Sequence, residues 1–172
     1  MVAVLAGMLW ALAFPKPGVA GLAWLAPGLM LAAAAGRGSG TAFRVGYLAG
    51  FTFHLVALYW LLLIPIQVEP EIGWVSALLF KLGPVVGWLS LSAFLALYPA
   101  CWVWLSWRLF PARWTGVPVG LSAHIDAFRQ VGRLQRLSWA MACAALWVAL
   151  EMIQARLFTG FPWNLLGASQ AA

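Results

Sequence analysis

Residues 137–153, LSWAMACAALWVALEMI, and the stretch that follows at 158–171, FTGFPWNLLGASQA, decide the class of this chain. The first is an apolar run of helical length that holds a single acid, Glu151. The second begins with a helix-stopping turn, Thr159-Gly160-Phe161-Pro162-Trp163. Pro162 lacks a backbone donor and drives Phe161 to extended geometry, while Gly160 permits a sharp exit. An indole is thereby set where the helix ends. An apolar helix closed by an indole reads as a membrane crossing with its interfacial anchor.

Composition extends that reading to the whole chain. Hydrophobic residues are 65% and charged residues 8% of the 172, against roughly 45–50% and 25% in soluble domains. So few charges cannot clothe a water-facing surface. The expected fold is all-α, a multi-pass transmembrane bundle of about five spans. The net charge of +6 comes from 10 Lys+Arg and 4 Asp+Glu. Arginine gathers in cytoplasmic loops of membrane proteins, so the excess has a topological cause and no nucleic-acid partner is expected. Cys101 and Cys143 both sit in apolar runs, which fits packing thiols and no metal site. The first residues, MVAVLAGMLWALAF, lack a basic segment before the apolar stretch. They read as a retained short span rather than a cleaved signal.

Spans are expected at about 2–14, 18–35, 43–65, 85–110 and 137–153. Pro15-Lys16-Pro17 forms a turn, Pro27 should kink the second span, and residues 36–40 are a Gly-rich loop. The third span ends on Tyr59-Trp60 and Pro65, before the acidic segment IQVEPEI at 66–72. Gly83-Pro84 is expected to divide a short entry segment from the fourth span. With five alternating spans, loops 36–44 and 108–136 share one side. They carry Arg37, Arg44, Arg108, Arg113, Arg129, Arg133 and Arg136, against Lys16 and Arg156 opposite. That bias places 36–44 and 108–136 in the cytoplasm and 157–165 outside.

Glu151 near the end of a crossing costs about 2.5–3.5 kcal/mol on insertion scales for the centre, so it needs a partner or a task. Two readings stand: an interfacial acid that is hydrated or paired to Arg156, or an acid that orders the following turn by accepting hydrogen bonds from its backbone amides or an indole. Most of the 12 Trp read as interfacial belt residues; Trp163 carries more weight because the turn fixes it. A lone membrane His such as His54 is more often a hydrogen-bonded packing residue than a proton relay. Lys81 can snorkel to headgroups. In 121–137, Leu121, Ile125, Phe128 and Val131 fall at helical spacing with Arg129, Arg133 and Arg136 off that stripe. This is either a basic amphipathic helix on anionic lipid or a solvated loop.

At FTGFPWNLLGASQ the chain resembles the bacterial apolipoprotein N-acyltransferases. In that family a Glu stands eight residues before a Thr-Gly-Phe-Pro-Trp turn that leads into Gly-aromatic-Ser-Gln. Glu151 and Thr159 have that spacing, and Gly167, Ser169 and Gln170 continue it, with Ala168 at the aromatic position. LAFPKP at 12–17, Tyr59-Trp60 and LALYPACWVWLSWRLFP at 95–111 are looser likenesses. The chain departs where the family has Leu-Arg-Gly after the Glu; here stand Ile153-Gln154-Ala155, with Arg156 two positions later. The basic loop 111–136 is also longer than usual.

The resemblance implies transfer of an acyl chain from a phospholipid donor to the α-amino group of the diacylglyceryl-cysteine of a lipoprotein acceptor. Such enzymes pass through a thioester on a Cys, assisted by Glu and Lys, in a nitrilase-like carbon–nitrogen hydrolase domain that follows the spans. That domain is expected to be absent from this chain, as in a fragment or truncated gene, so no catalytic residue is assigned here. The expected lipid-contacting residues are Trp163, Phe161, Pro162 and Trp60, with Glu151, Thr159 and Gly160 supporting the turn. No cofactor and no metal are expected. The expected setting is a monomer in a bacterial inner membrane, with 157–165 periplasmic. A second reading stays open: a complete small membrane protein, such as a transporter or assembly factor.

Overall fold

The computed structural model describes residues 1–14, 18–65, 73–110, 121–157, 160–161 and 165–166. The regular elements among them are helices: α1 (Val2–Leu12), α2 (Leu22–Ala34), α3 (Ser39–Ala57), a 3-10 turn (Tyr59–Leu63), α4 (Trp74–Leu95), α5 (Leu97–Arg108), α6 (Leu121–Gln130) and α7 (Arg133–Gln154). Three stretches are long and apolar enough to cross a membrane: Ser39–Leu63, Trp74–Arg108 and Arg133–Gln154. α1 and α2 are shorter apolar helices. With 11 and 13 residues they fall short of the about 20 a bilayer core needs.

Several boundaries differ from the sequence expectation, with α2 starting at Leu22 rather than 18 and α3 at Ser39 rather than 43; two further differences have a local cause. α4 continues through Gly83-Pro84, and the interruption lies at Ala96. Pro99 follows three residues later; it offers no amide to the Leu95 carbonyl, and its ring crowds that oxygen. α7 starts at Arg133 rather than near 137, because the Gly132 amide is capped by the Gln135 side chain at 3.2 Å. The segment 121–130 is helical, and Val131-Gly132 separates it from α7.

Contacts fix the helix directions. Gly7 faces Ala49 and Thr52, and Trp10 stacks on Phe53 with centroids 3.9 Å apart, so α1 and α3 run parallel. Gly46 lies against Pro99 and Ala100, and Gly50 against Ala96 and Pro99, so α3 and α5 are antiparallel. This four-residue glycine spacing lets backbones meet closely, as membrane helices require where no water drives them together. A Cβ on Gly46 would lie 2.5 Å from the Pro99 carbonyl oxygen, so larger residues are excluded there.

Indoles link α5 to α7 and to α2, and α4 to α3. Trp102 donates to the Cys143 carbonyl at 2.8 Å, Trp139 to Ser106 at 2.8 Å, Trp107 to Leu31 at 3.2 Å and Trp88 to Leu55 at 3.0 Å. A helical carbonyl already in its ladder keeps a second lone pair for such a donor. Trp10, Trp102 and Trp147 are buried. They are core residues, not members of an interfacial belt.

One end of the bundle therefore gathers Arg37 and Arg44 around the start of α3, Arg108 at the end of α5 and Arg133 and Arg136 at the start of α7. Arg129 lies on the adjoining α6. The opposite end holds the close of α3, the 3-10 turn, the start of α5 and the close of α7. Arg113 lies outside the described residues. α4 and α5 together run 35 residues, about 52 Å at 1.5 Å per residue. That exceeds a bilayer core of about 30 Å, and the excess extends past Trp88 at the arginine-poor end, where Lys81 also lies.

Candidate functional site

The arginine-poor end is shaped by how α7 stops. Trp147, Leu150, Glu151 and Gln154 share one helical face by their spacing of three and four. Past Gln154 the chain turns back on that face. The Phe161 amide donates to the Gln154 carbonyl at 3.0 Å, and the Gln154 side-chain amide donates to the Phe161 carbonyl at 3.3 Å. Gly160 has φ 83°, a left-handed conformation that favours glycine. A Cβ there would collide with the Ala155 carbonyl. The Glu151 carboxylate accepts the amide of Leu166 at 2.6 Å, a short charge-assisted bond. Arg156 donates to the Met152 carbonyl at 3.3 Å, and among the described residues it forms no ion pair with Glu151.

Beneath this turn is a cavity of about 20 Å³ bounded by Trp10, His54, Tyr98, Trp147, Glu151 and Gln154 among others. It is large enough for about one water. The indole N–H groups of Trp10 and Trp147 and the Tyr98 hydroxyl have no hydrogen-bond partner among the described residues. His54 is buried, and its Nδ1 donates to the Gly50 carbonyl at 2.8 Å. That leaves Nε2 as an acceptor in the neutral ring. His54 is thus a hydrogen-bonded packing residue at the wall of this small cavity.

A second space opens at the same end. The 3-10 turn and the extended part of α4 diverge and enclose about 580 Å³. Leu61 and Ile64 form one wall; Leu79, Phe80, Pro84 and Trp88 form the other. A volume of this size with apolar walls suits a hydrocarbon chain. Trp60 stands in the 3-10 turn beside Leu61, half-buried.

The site residues expected from sequence fall into two groups. Phe161, Trp60, Glu151 and Gly160 lie at the same end of the bundle, three of them within one hydrogen-bonded turn. Trp163, Pro162 and Thr159 lie outside the described residues. Sequence reasoning missed Gln154, Tyr98, Trp10 and Trp147. The signal for two of them was available, since Trp147 and Gln154 fall four residues before and three after Glu151. Among the described residues no three His, Cys, Asp or Glu side chains gather as a metal site would require. Cys143 is buried and Cys101 half-buried within their helices.

Residues 6–172 match the family model described as apolipoprotein N-acyltransferase N-terminal domain. A protein of Geobacter metallireducens named apolipoprotein N-acyltransferase is 33% identical over 170 residues, covering 99% of this chain and 27% of that protein. One of the same name from Vibrio cholerae is 28% identical over 170 residues, 99% of this chain and 28% of its own length. A third, from Nitrosomonas europaea, is 35% identical over 82 residues, 47% of this chain and 12% of that protein. The chain thus spans just over a quarter of the length of the first two.

Proposed function

The chain belongs to the apolipoprotein N-acyltransferase N-terminal domain family, and we propose that it is the membrane platform of an enzyme that acylates lipoproteins. The reaction moves an acyl chain from a phospholipid to the amino group of a diacylglyceryl-cysteine. The family match over residues 6–172 carries this reading. In it, the apolar wedge between the 3-10 turn and α4 takes a hydrocarbon chain, and Trp60, Phe161, Pro162 and Trp163 contact lipid beside it. Glu151, Thr159 and Gly160 hold the turn that presents Trp163. The nucleophile comes from outside these 172 residues.

The reading requires the turn to face the side where lipoproteins mature. The arginine-rich end then faces the cytoplasm, with 157–165 in the periplasm of an inner membrane. Single cysteines at positions 126 and 165, in a background with Cys101 and Cys143 replaced by Ser, report this. An impermeant maleimide applied to intact spheroplasts should label position 165 and spare 126. Labelling of 126 with protection of 165 would reverse the orientation and remove the turn from the reaction side.

Function is tested in a chimera in which residues 1–172 replace the matching segment of the Geobacter relative. Trp163→Ala in that chimera should slow lipoprotein acylation several-fold at unchanged protein level. An aromatic side-chain contact contributes about 0.5–1.5 kcal/mol beyond its buried area, so a partial loss is expected. Trp24, on α2 and 75% exposed, is the control, and Trp24→Ala should change little. Equal rates for the two variants would make Trp163 a belt residue, and a loss of protein would assign it to folding instead.

A further inference from the structure

At the arginine-rich end, far from the wedge and the α7 turn, a separate groove of about 430 Å³ runs between α2, α5, α6 and α7. Its floor is apolar: Gly28 and Leu31 on α2, Trp107 on α5, Ile125 and Phe128 on α6, and Trp139 on α7. Its edge is cationic. Arg129 lines the groove. The Arg136 guanidinium sits 5.5 Å from the ring centroid of Phe128. Ala35, another lining residue, precedes Arg37 by two positions.

We infer that this groove binds an anionic phospholipid, with an acyl chain on the Trp107–Trp139 floor and the head-group phosphate against Arg129, assisted by Arg136 and Arg37. Three observations select this occupant. The groove is apolar along its length and positive at its rim, which matches a molecule with a hydrocarbon tail and a negative head. Guanidinium groups bind phosphate through paired N–H donors. The pairing of Arg129 with Asp126 is 4.0 Å long between side chains 77% and 65% exposed, too weak to withhold the guanidinium from a better partner. A second copy of this chain is a poor alternative, since its own arginine-rich end and net charge of +6 repel.

α6 gains a task in this reading. Ile125 and Phe128, three residues apart, line the groove and are themselves 45% and 37% exposed, beside exposed Asp126, Arg129 and Gln130. The lipid would complete the packing of an amphipathic helix on the bundle. The site is independent of the acyl-transfer reading: it lies at the other end and concerns a resident lipid, not a donor.

Native mass spectrometry of the purified protein tests this, with phosphatidylglycerol and phosphatidylcholine of identical acyl chains as probes. Wild type should retain one phosphatidylglycerol in clear preference to phosphatidylcholine. Each arginine near an anionic head group contributes about fivefold in affinity, so Arg129→Gln should cut the preference by about that factor. The double variant Arg129→Gln/Arg136→Gln should nearly abolish it. Gly28→Leu fills the groove from α2, where an added Cβ meets nothing within 4 Å, and should reduce retention of both lipids. Arg156→Gln, at the opposite end, should leave the preference intact. Equal retention of the two lipids by wild type would overturn the proposal. So would a preference that survives both the double arginine variant and Gly28→Leu, or a groove closed by dimerisation that excludes lipid.

Discussion

Glu151→Ala, placed in the acyltransferase chimera, is expected to lower lipoprotein acylation by about ten- to a hundredfold while the protein stays folded in the membrane. The carboxylate holds the Leu166 amide at 2.6 Å. A hydrogen bond to a charged group contributes about 1.5–3 kcal/mol, and each 1.4 kcal/mol is a factor of ten in the population of the ordered turn. The helix itself loses nothing, since Ala is a good helix former and α7 is anchored elsewhere by the Trp102–Cys143 and Trp139–Ser106 bonds. Glu151→Gln keeps an acceptor oxygen of similar reach, but a neutral bond is worth roughly half the charged one, so it should fall between wild type and Ala. Acylation rates of the three forms, normalised to membrane protein level, check this. A Gln variant as poor as the Ala variant would show that the charge matters beyond the turn. An Ala variant as active as wild type would show that the Leu166 contact does not position anything the reaction uses.

The class of fold was legible because lipid imposes it. A chain with 65% hydrophobic and 8% charged residues has one solvent in which its surface is stable, and only helices satisfy their own backbone in runs of that length. The arginine asymmetry was legible for the same reason, and the helix directions place Arg37, Arg44, Arg108, Arg133 and Arg136 at one end. The position of the break in the fourth span was not. Gly83-Pro84 reads locally as a stop, yet α4 passes through it, and the interruption falls at Ala96, where Pro99 denies the Leu95 carbonyl a donor. Both prolines have the same local signature; what distinguishes Pro99 is its packing against Gly46 and Gly50 of α3, which is tertiary.

The candidate site divides in the same way. Glu151, Gly160 and Phe161 could be singled out from the turn chemistry alone. The partner that closes the turn, Gln154, stands where the resembled family carries arginine, and was set aside as a departure. Its two bonds to Phe161 are visible only once the chain folds back. The tryptophans misled in a different way. Composition assigns indoles to the interface, but Trp10 and Trp147 are buried beside His54, brought there by helices whose parallel and antiparallel pairing no spacing rule specifies. The α6 segment left two readings open, and helix formation over Leu121–Gln130 removes the loop.

The central claim, that these residues are the membrane platform of a lipoprotein acyltransferase, meets its most direct test in the chimera with the Geobacter relative. The two segments are 33% identical over 170 residues, so helix directions and the α7 turn should transfer together. Lipoproteins are recovered from acyltransferase-depleted cells that express the chimera, and the mass of their N-terminal lipopeptide is measured. The expected result is the mass increase of one acyl chain in the chimera, and no increase when residues 1–172 are expressed alone. A chimera that inserts at normal level but leaves the diacylglyceryl-cysteine unacylated would contradict the claim, as would acylation by residues 1–172 without the rest of an enzyme.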